Sequence, residues 1–359
     1  MRVSVVVAVL LALGAWYLGR PPPHEMHEVP PLPPARPERV HVAAQVLLRG
    51  VQIEDFAFAD DGTVVAGAKD GALLRFADDE FHSPETLLRS GQWLVSGKQH
   101  AGRFWFLLSF TGLVSFSLDS NRVEDMRLHT LHVDGRHPTR LNFPNHVTVG
   151  RDGRVFFSDS FFSSVPREHP EVTLVQSLFS GEASGRLLVF DPASNRTVAL
   201  LGGLAFANGV EVAPDGSFVV VAEMMRARLW RVWLTGPQRG KADVFVDALP
   251  GFPDNLESDG THLYVCLGLL RNAVTDFVFT NRWARQIVPR LPERPLGTEA
   301  GGFVRVNWKT GHTSQLFVVD GVHGGTTVKP HKEHIYVSSY FVDGFVARIP
   351  KQEIDALDP

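Results

Sequence analysis

Three short stretches pair an aromatic residue with an oxygen-bearing side chain: Phe143-Pro144-Asn145, Phe206-Ala207-Asn208 and Phe252-Pro253-Asp254-Asn255. Amide and carboxylate oxygens gathered at one point suit a hard cation, and Ca²⁺ takes roughly 6–8 such ligands. Asn, Asp and Pro also enter turns through their own backbone preferences, so one such stretch alone reads as turn chemistry. What lifts these three above that reading is their place in a repeat. Each is followed by mostly apolar or alternating residues and then by an Asp-Gly turn: Asp152-Gly153, Asp215-Gly216 and Asp259-Gly260. A strand-like run comes next: Val155-Phe156-Phe157, Phe218-Val219-Val220-Val221 and Leu263-Tyr264-Val265. If each stretch opens an innermost strand, Asn145, Asn208, Asp254 and Asn255 converge on one axis.

The elements that must position them form a repeating β module, the mark of a propeller or an array. The first module holds Val51 to Phe56, with turns at Asp61-Gly62 and Asp70-Gly71, and the second covers Trp93 to Leu118. The others start at Phe143, Phe206, Phe252 and Val322, the last ending at Pro350. The prediction is an all-β, six-bladed β-propeller over residues 40–359, with four-stranded blades around a central channel. Cys266 is the single cysteine, so no disulfide closes the ring within the chain, and it reads as a buried small hydrophobe. The segment after Val40 is then expected to complete the last blade. Helical insertions are expected in blade 3 (residues 161–184) and blade 5 (residues 270–301), as lids or rim helices. In the second, Ala273, Phe277, Trp283 and Ile287 fit one helical face, which either packs on the core, covers the site as a lid or faces a membrane.

The chain has 359 residues, 44% hydrophobic and 21% charged, with a formal net charge of −4. With no Lys/Arg run, nothing suggests a nucleic-acid partner. Lys329, Lys332 and Arg348 read as solvated turn and edge charges. Residues 1–20 read as a signal anchor or a signal peptide. The uncharged run Val3 to Leu18 is short for a span but is flanked by Trp16-Tyr17 and Arg20. Ala12-Leu13-Gly14 offers a cleavage pattern. The expectation is a single-pass type II membrane protein with a lumenal or extracellular propeller, a secreted protein being the alternative. Residues 21–39 read as a Pro-rich linker holding the domain off the membrane, with His24 and His27 solvated. Asn195-Arg196-Thr197, at a hairpin tip, is an N-glycosylation sequon.

Four segments, FPNHVTVGRDGRVFFSDS, GRLLVFDPASNRTVALL, FANGVEVAPDGSFVVVAE and DVFVDALPGFPDNL, resemble the strictosidine synthase-like family. The resemblance runs from near Gly50 to Pro350. It implies a six-bladed propeller related to paraoxonases and gluconolactonase-type lactonases. In those relatives an early Glu, two Asn and an Asp-Asn pair hold calcium; the matching residues here are Glu54, Asn145, Asn208, Asp254 and Asn255. It further implies hydrolysis of small esters, aryl esters or lactones, the metal polarising the carbonyl and Asp254 acting as nucleophile or base. Two departures narrow this. The glutamate of the plant synthases falls near Thr327, which argues against Pictet-Spengler condensation. The paraoxonase His pair has no match around Gln92-Trp93-Leu94. His100 reads as a turn residue and His146 as packing, which leaves His323, before Gly324-Gly325, as the candidate catalytic histidine at the tunnel mouth. The rival reading is a non-catalytic binding propeller pinned by structural calcium, a choice that fold does not settle.

Overall fold

The computed structural model describes residues 26–358 apart from 36, 120–121, 130, 132, 134–140, 162–176, 289–299 and 342–343. Six sheets, antiparallel within each of these spans, form a six-bladed β-propeller over residues 53–89, 94–129, 144–204, 207–246, 251–323 and 327–350 in blades 1 to 6. The inner strands are Ile53–Phe58, Leu94–His100, Pro144–Val149, Ala207–Val212, Gly251–Ser258 and Thr327–His331, mostly buried along their length. Blade 6 therefore begins at Thr327 rather than Val322, which belongs to the fourth strand of blade 5 (Leu316–His323).

The N-terminal part of the domain closes the ring. Strand β1 (Arg39–Ala43) pairs in parallel with Leu316–His323 as a fifth strand of blade 5. Strand β2 (Gln45–Arg49) pairs antiparallel with Phe345–Pro350 and completes blade 6. The Asp-Gly turns form as expected. Gly153, Gly216 and Gly260 take φ of +79°, +72° and +88°, a region that favours glycine. The preceding aspartates accept from the amides of Arg154, Ser217 and Thr261.

A local irregularity recurs in four inner strands. The ladder slips between Ile53 and Phe56, Pro144 and Val147, Ala207 and Val210, and Pro253 and Leu256. Such bulges re-aim side chains that strict alternation would send elsewhere. The inner strands of blades 4 and 5 come very close at this level. A Cβ on Gly209 would stand 2.4 Å from the Asp254 carbonyl oxygen and 2.6 Å from the Leu256 nitrogen, so only glycine fits.

Both insertions leave between the second and third strands of their blades, at the end where the inner strands begin. In blade 5 they are α1 (Ala273–Thr280) and α2 (Arg282–Ile287). The expected single face is broken at Asn281, whose side chain caps α2 by accepting from Trp283 and Ala284. Thr275, Val278, Phe279, Ala284 and Ile287 are buried, whereas Phe277 and Trp283 are exposed. In blade 3, residues 177–180 are helical and 162–176 lie outside the described residues.

The Pro-rich segment differs from the expected free spacer. Its residues 26–35 lie on the insertions: His27 donates to the Ser180 carbonyl at 2.9 Å, and Met26 is buried. Arg285 donates to the carbonyls of His27 and Phe179, and Arg271 to that of Pro33. Two planar guanidiniums thus tie the segment to the helices. The expected anchor, residues 1–20, lies outside the described residues, among which no helix is long and apolar enough to cross a membrane.

Candidate metal centre

The bulges deliver Glu54, Asn145, Asn208, Asp254 and Asn255 to one end of the tunnel, from blades 1, 3, 4 and 5. None is more than 6% exposed. Blade 6 fixes the Glu54 backbone, whose carbonyl accepts from the hydroxyls of Thr326 at 3.0 Å and Ser338 at 2.8 Å. The amide nitrogen of Asn255 donates to Thr327 Oγ1 at 2.8 Å. That of Asn208 donates to Met224 Sδ at 3.5 Å and also hydrogen-bonds Asp254. With the nitrogens so placed, the oxygens point elsewhere.

Glu54 Oε2, Asn145 Oδ1, Asn208 Oδ1 and Asn255 Oδ1 are buried with no hydrogen-bond partner among the described residues. Each such orphan costs about 1–3 kcal/mol. Four of them beside the Asp254 carboxylate make a set of three neutral and two anionic donors, the chemistry a divalent hard cation requires. The residues fit calcium.

Electrostatics point the same way. Burial raises Glu54 well above the ordinary range, reinforced by the neighbouring charges of Asp254 and Asp55. Burial also pushes Asp254 up to about 7, only partly offset by the hydrogen bond from Asn208. Because the folded-state value exceeds the ordinary 3.8, Asp254 favours the metal-free fold most below 3.8 and loses that contribution as the pH rises through about 7. A cation must displace the same proton. Calcium affinity is therefore expected to rise with pH up to about 7, by roughly tenfold per unit for each proton released. Calorimetric titrations from pH 5 to 8 measure this, and a flat profile removes Asp254 from the ligand set.

Every site stretch opens on an aromatic because the aromatics form a collar above the oxygens. Trp93, Phe143 and Phe206 precede the inner strands of blades 2 to 4, Phe252 is the second residue of that of blade 5, and Tyr340 follows the second strand of blade 6. Ring centroids lie 5.9 Å apart for Trp93 and Phe143, and 4.6 Å for Trp93 and Tyr340. Phe279 of α1 contacts Phe252 and Phe179, joining both insertions to the collar. Two buried carboxylates brace the loops beneath it. Asp159 accepts from the amides of Asn142 and Phe143 and pairs with Arg186; Glu223 accepts from the Ala205 amide and pairs with Arg228.

Deeper in the tunnel lies a charged layer that sequence reasoning missed. Lys329 sits 2.8 Å from Asp55 and 2.7 Å from Glu257; Lys98 sits 2.5 Å from Glu257 and 3.0 Å from Glu211. Thr148 donates to Glu211, and Ser96 to Asp55. All six blades contribute a side chain. Burial works against charge on Glu257, yet Lys329 and Lys98 hold its carboxyl down at about 2. Lys329 is thus buried rather than a solvated edge charge, whereas Lys332 is exposed as expected. Asp55, His146 and Glu257 offer atoms within 4.8 Å of one another. Lys329 already neutralises two of them, so the upper set suits a cation better. His146 bridges blades 3 and 4, Nδ1 accepting from the Val210 amide, and burial lowers its pKa to about 4.

The remaining candidates stand apart from the five. His323 ends the fourth strand of blade 5, exposed on the outer rim, and is not brought to the tunnel. Asn195 is exposed at the tip of its hairpin, away from the metal end, and Thr197 of the sequon is buried. Cys266 is buried, and its burial together with the Asp254 charge raises the thiol pKa well above normal, so it stays protonated.

Residues 145–237, which include Asn145, Asn208 and two of the Asp-Gly turns, match the family model described as strictosidine synthase. Over that stretch the chain is similar to the family. Its homologues include the Arabidopsis thaliana protein strictosidine synthase-like 13, 35% identical over 45% of this chain and 38% of that one. The human adipocyte plasma membrane-associated protein is 36% identical over 42% of this chain and 36% of its own length. The chain thus spans less than half of the relatives it matches. The whole propeller superposes on solved structures. A gluconolactonase from Xanthomonas campestris covers 90% of this chain and 99% of its own, with a TM-score of 0.57 at 14% identity. A calcium-binding protein, regucalcin, from Agrobacterium tumefaciens covers 87% and 95%, with a TM-score of 0.58 at 14% identity. At such identities the likeness shows the fold.

Proposed function

We propose that the chain is a calcium-dependent hydrolase of small esters, aryl esters or lactones. The observation that carries this reading is the group of four orphaned buried oxygens around Asp254 at the mouth of an aromatic collar. Glu54, Asn145, Asn208, Asp254 and Asn255 would hold the cation, which when bound supplies a Lewis acid for a substrate carbonyl. Asp254 is the group able to move a proton. Charged once the cation has displaced its proton, it is the carboxylate placed to act as nucleophile or as base toward water. Asn208 orients Asp254 through their hydrogen bond. The collar of Trp93, Phe143, Phe206, Phe252 and Tyr340 excludes water and favours substrates with a flat apolar group beside the carbonyl. The kinship with plasma membrane-associated homologues supports a membrane or secretory location.

The depth of the five residues also favours a second reading, in which calcium only pins blades 1, 3, 4 and 5 of a binding module. Turnover of aryl esters and lactones by the full chain, with calcium and after chelation, separates the two. Metal-dependent turnover that Asn208→Ala reduces at least about tenfold supports the hydrolase. A folded, calcium-binding chain with no turnover on either class would leave the binding module.

A further inference from the structure

Helices α1 and α2 are apolar on both sides. Inward they bury Val278, Phe279, Ala284 and Ile287; outward they bare Val274 (57% exposed), Phe277 (53%) and Trp283 (42%). Val274 and Phe277 are three residues apart and share one face of α1. Phe341 (42%), beyond the second strand of blade 6, adds a ring at the same end of the propeller. Scattered apolar residues on a surface need no explanation, but a short helix pair apolar on both sides does.

The chain itself says what covers this face. Residues 26–35 are tied onto the insertions by Arg285 and Arg271, so the chain enters the domain at this end. Leu18, the last residue of the uncharged run from Val3, precedes Met26 by eight positions, a reach of at most about 28 Å. The apolar run of the sequence thus ends within that reach of an apolar helix face, on which Arg282, paired with Glu28 at 3.3 Å, stands next to Trp283. Aromatic rings beside a cationic side chain are the composition of a membrane–water interface.

The geometry points to the metal-bearing end of the propeller lying against a phospholipid surface, with Val274, Phe277, Trp283 and Phe341 in the interfacial layer. This inference uses none of the metal ligands and is independent of the hydrolytic reading. It places the collar toward the lipid, so that an ester or lactone dissolved in the bilayer has a short path to the tunnel.

The test uses the full chain reconstituted in phosphatidylcholine vesicles. Single substitutions Phe277→Cys, Trp283→Cys and Gln238→Cys each carry an environment-sensitive fluorophore. Gln238 lies exposed at the opposite end, between the third and fourth strands of blade 4. Cys266 is buried and should not take the label, which the unsubstituted chain checks. The expected result is blue-shifted emission at 277 and 283, quenched by lipids bearing a spin label near the headgroup, with neither effect at 238. Emission at 277 that matches 238 would overturn the proposal, as would a chain that does not float with vesicles. A blue shift at 277 that lipid quenchers leave untouched and that grows with protein density would assign the face to a second copy of the chain and equally overturn it.

Discussion

Asp254→Asn is expected to cost calcium binding on the order of 100-fold or more, since even outer-shell partners of a metal are worth 10–100-fold. The substitution keeps the size of the side chain and removes only its charge. In the metal-free fold that charge is unfavourable, because burial opposes it and it sits beside Glu54. The variant is therefore expected to be at least as stable as the parent in chelator at pH 8, yet to gain far less on calcium addition. Thermal melts with and without calcium, beside calorimetric affinities, read both effects. Lower affinity with undiminished metal-free stability is the signature of a binding site. Equal affinity would take Asp254 out of the ligand set, and ester or lactone turnover in Asp254→Asn matching the parent would dismiss its role in proton transfer.

The second large effect lies deeper. Lys329→Met is expected to destabilise the propeller by about 3–5 kcal/mol at pH 7, the range for removing one partner of a buried ion pair. The lysine is 5% exposed, lies between Asp55 and Glu257, and also donates to the Phe56 carbonyl. Without it Asp55 and Glu257 lose their shared cation, and Lys98 alone faces Glu257 and Glu211. The pH dependence follows from Glu257, whose carboxyl is held at about 2 against an ordinary 4.5. A depressed carboxyl stabilises the parent above 4.5, and the benefit fades as pH falls through about 2. The difference between parent and variant should accordingly shrink below pH 4.5. Urea titrations of Lys329→Met against Lys332→Met settle the matter. Lys332 is exposed and stands 3.6 Å from Asp79, so its loss should stay under about 0.5 kcal/mol. Equal midpoints for the two variants would show that the tunnel layer holds nothing together.

Those two lysines read alike in the sequence, and their fates show where reading along the chain stops. The blades were legible because each Asp-Gly turn and the strand after it obey local rules. Asn145, Asn208, Asp254 and Asn255 were visible as a recurring stretch, whereas Glu54 stood out only through resemblance. The tunnel layer was hidden by the bulges. Strict alternation puts positions i and i+3 on opposite faces, but the extra residue in four of the inner strands restores them to one. Glu211 and Glu257 stand three residues after Asn208 and Asp254, and Thr148 three after Asn145. That spacing was available, but its meaning depends on a backbone irregularity that composition does not announce. The Pro-rich segment misled for a different reason. Its contacts with Arg271 and Arg285 join residues more than 200 positions apart and run through backbone carbonyls, which leave no mark in side-chain pattern.

Strand β2 sets the order of events in the making of the protein. Gln45 bonds Arg348 across 303 positions, so β2 finds its partner only after blades 1 to 5 and most of blade 6 have been made. Blades 1 to 5 can build their own four strands as they emerge, but the ring stays open until Phe345–Pro350 has been made. Until then β2 is an unpaired edge available to any neighbouring strand. A chain stopped before Phe345 would carry all five of the oxygen-bearing residues yet have no closed circle to hold them at a common distance from the axis.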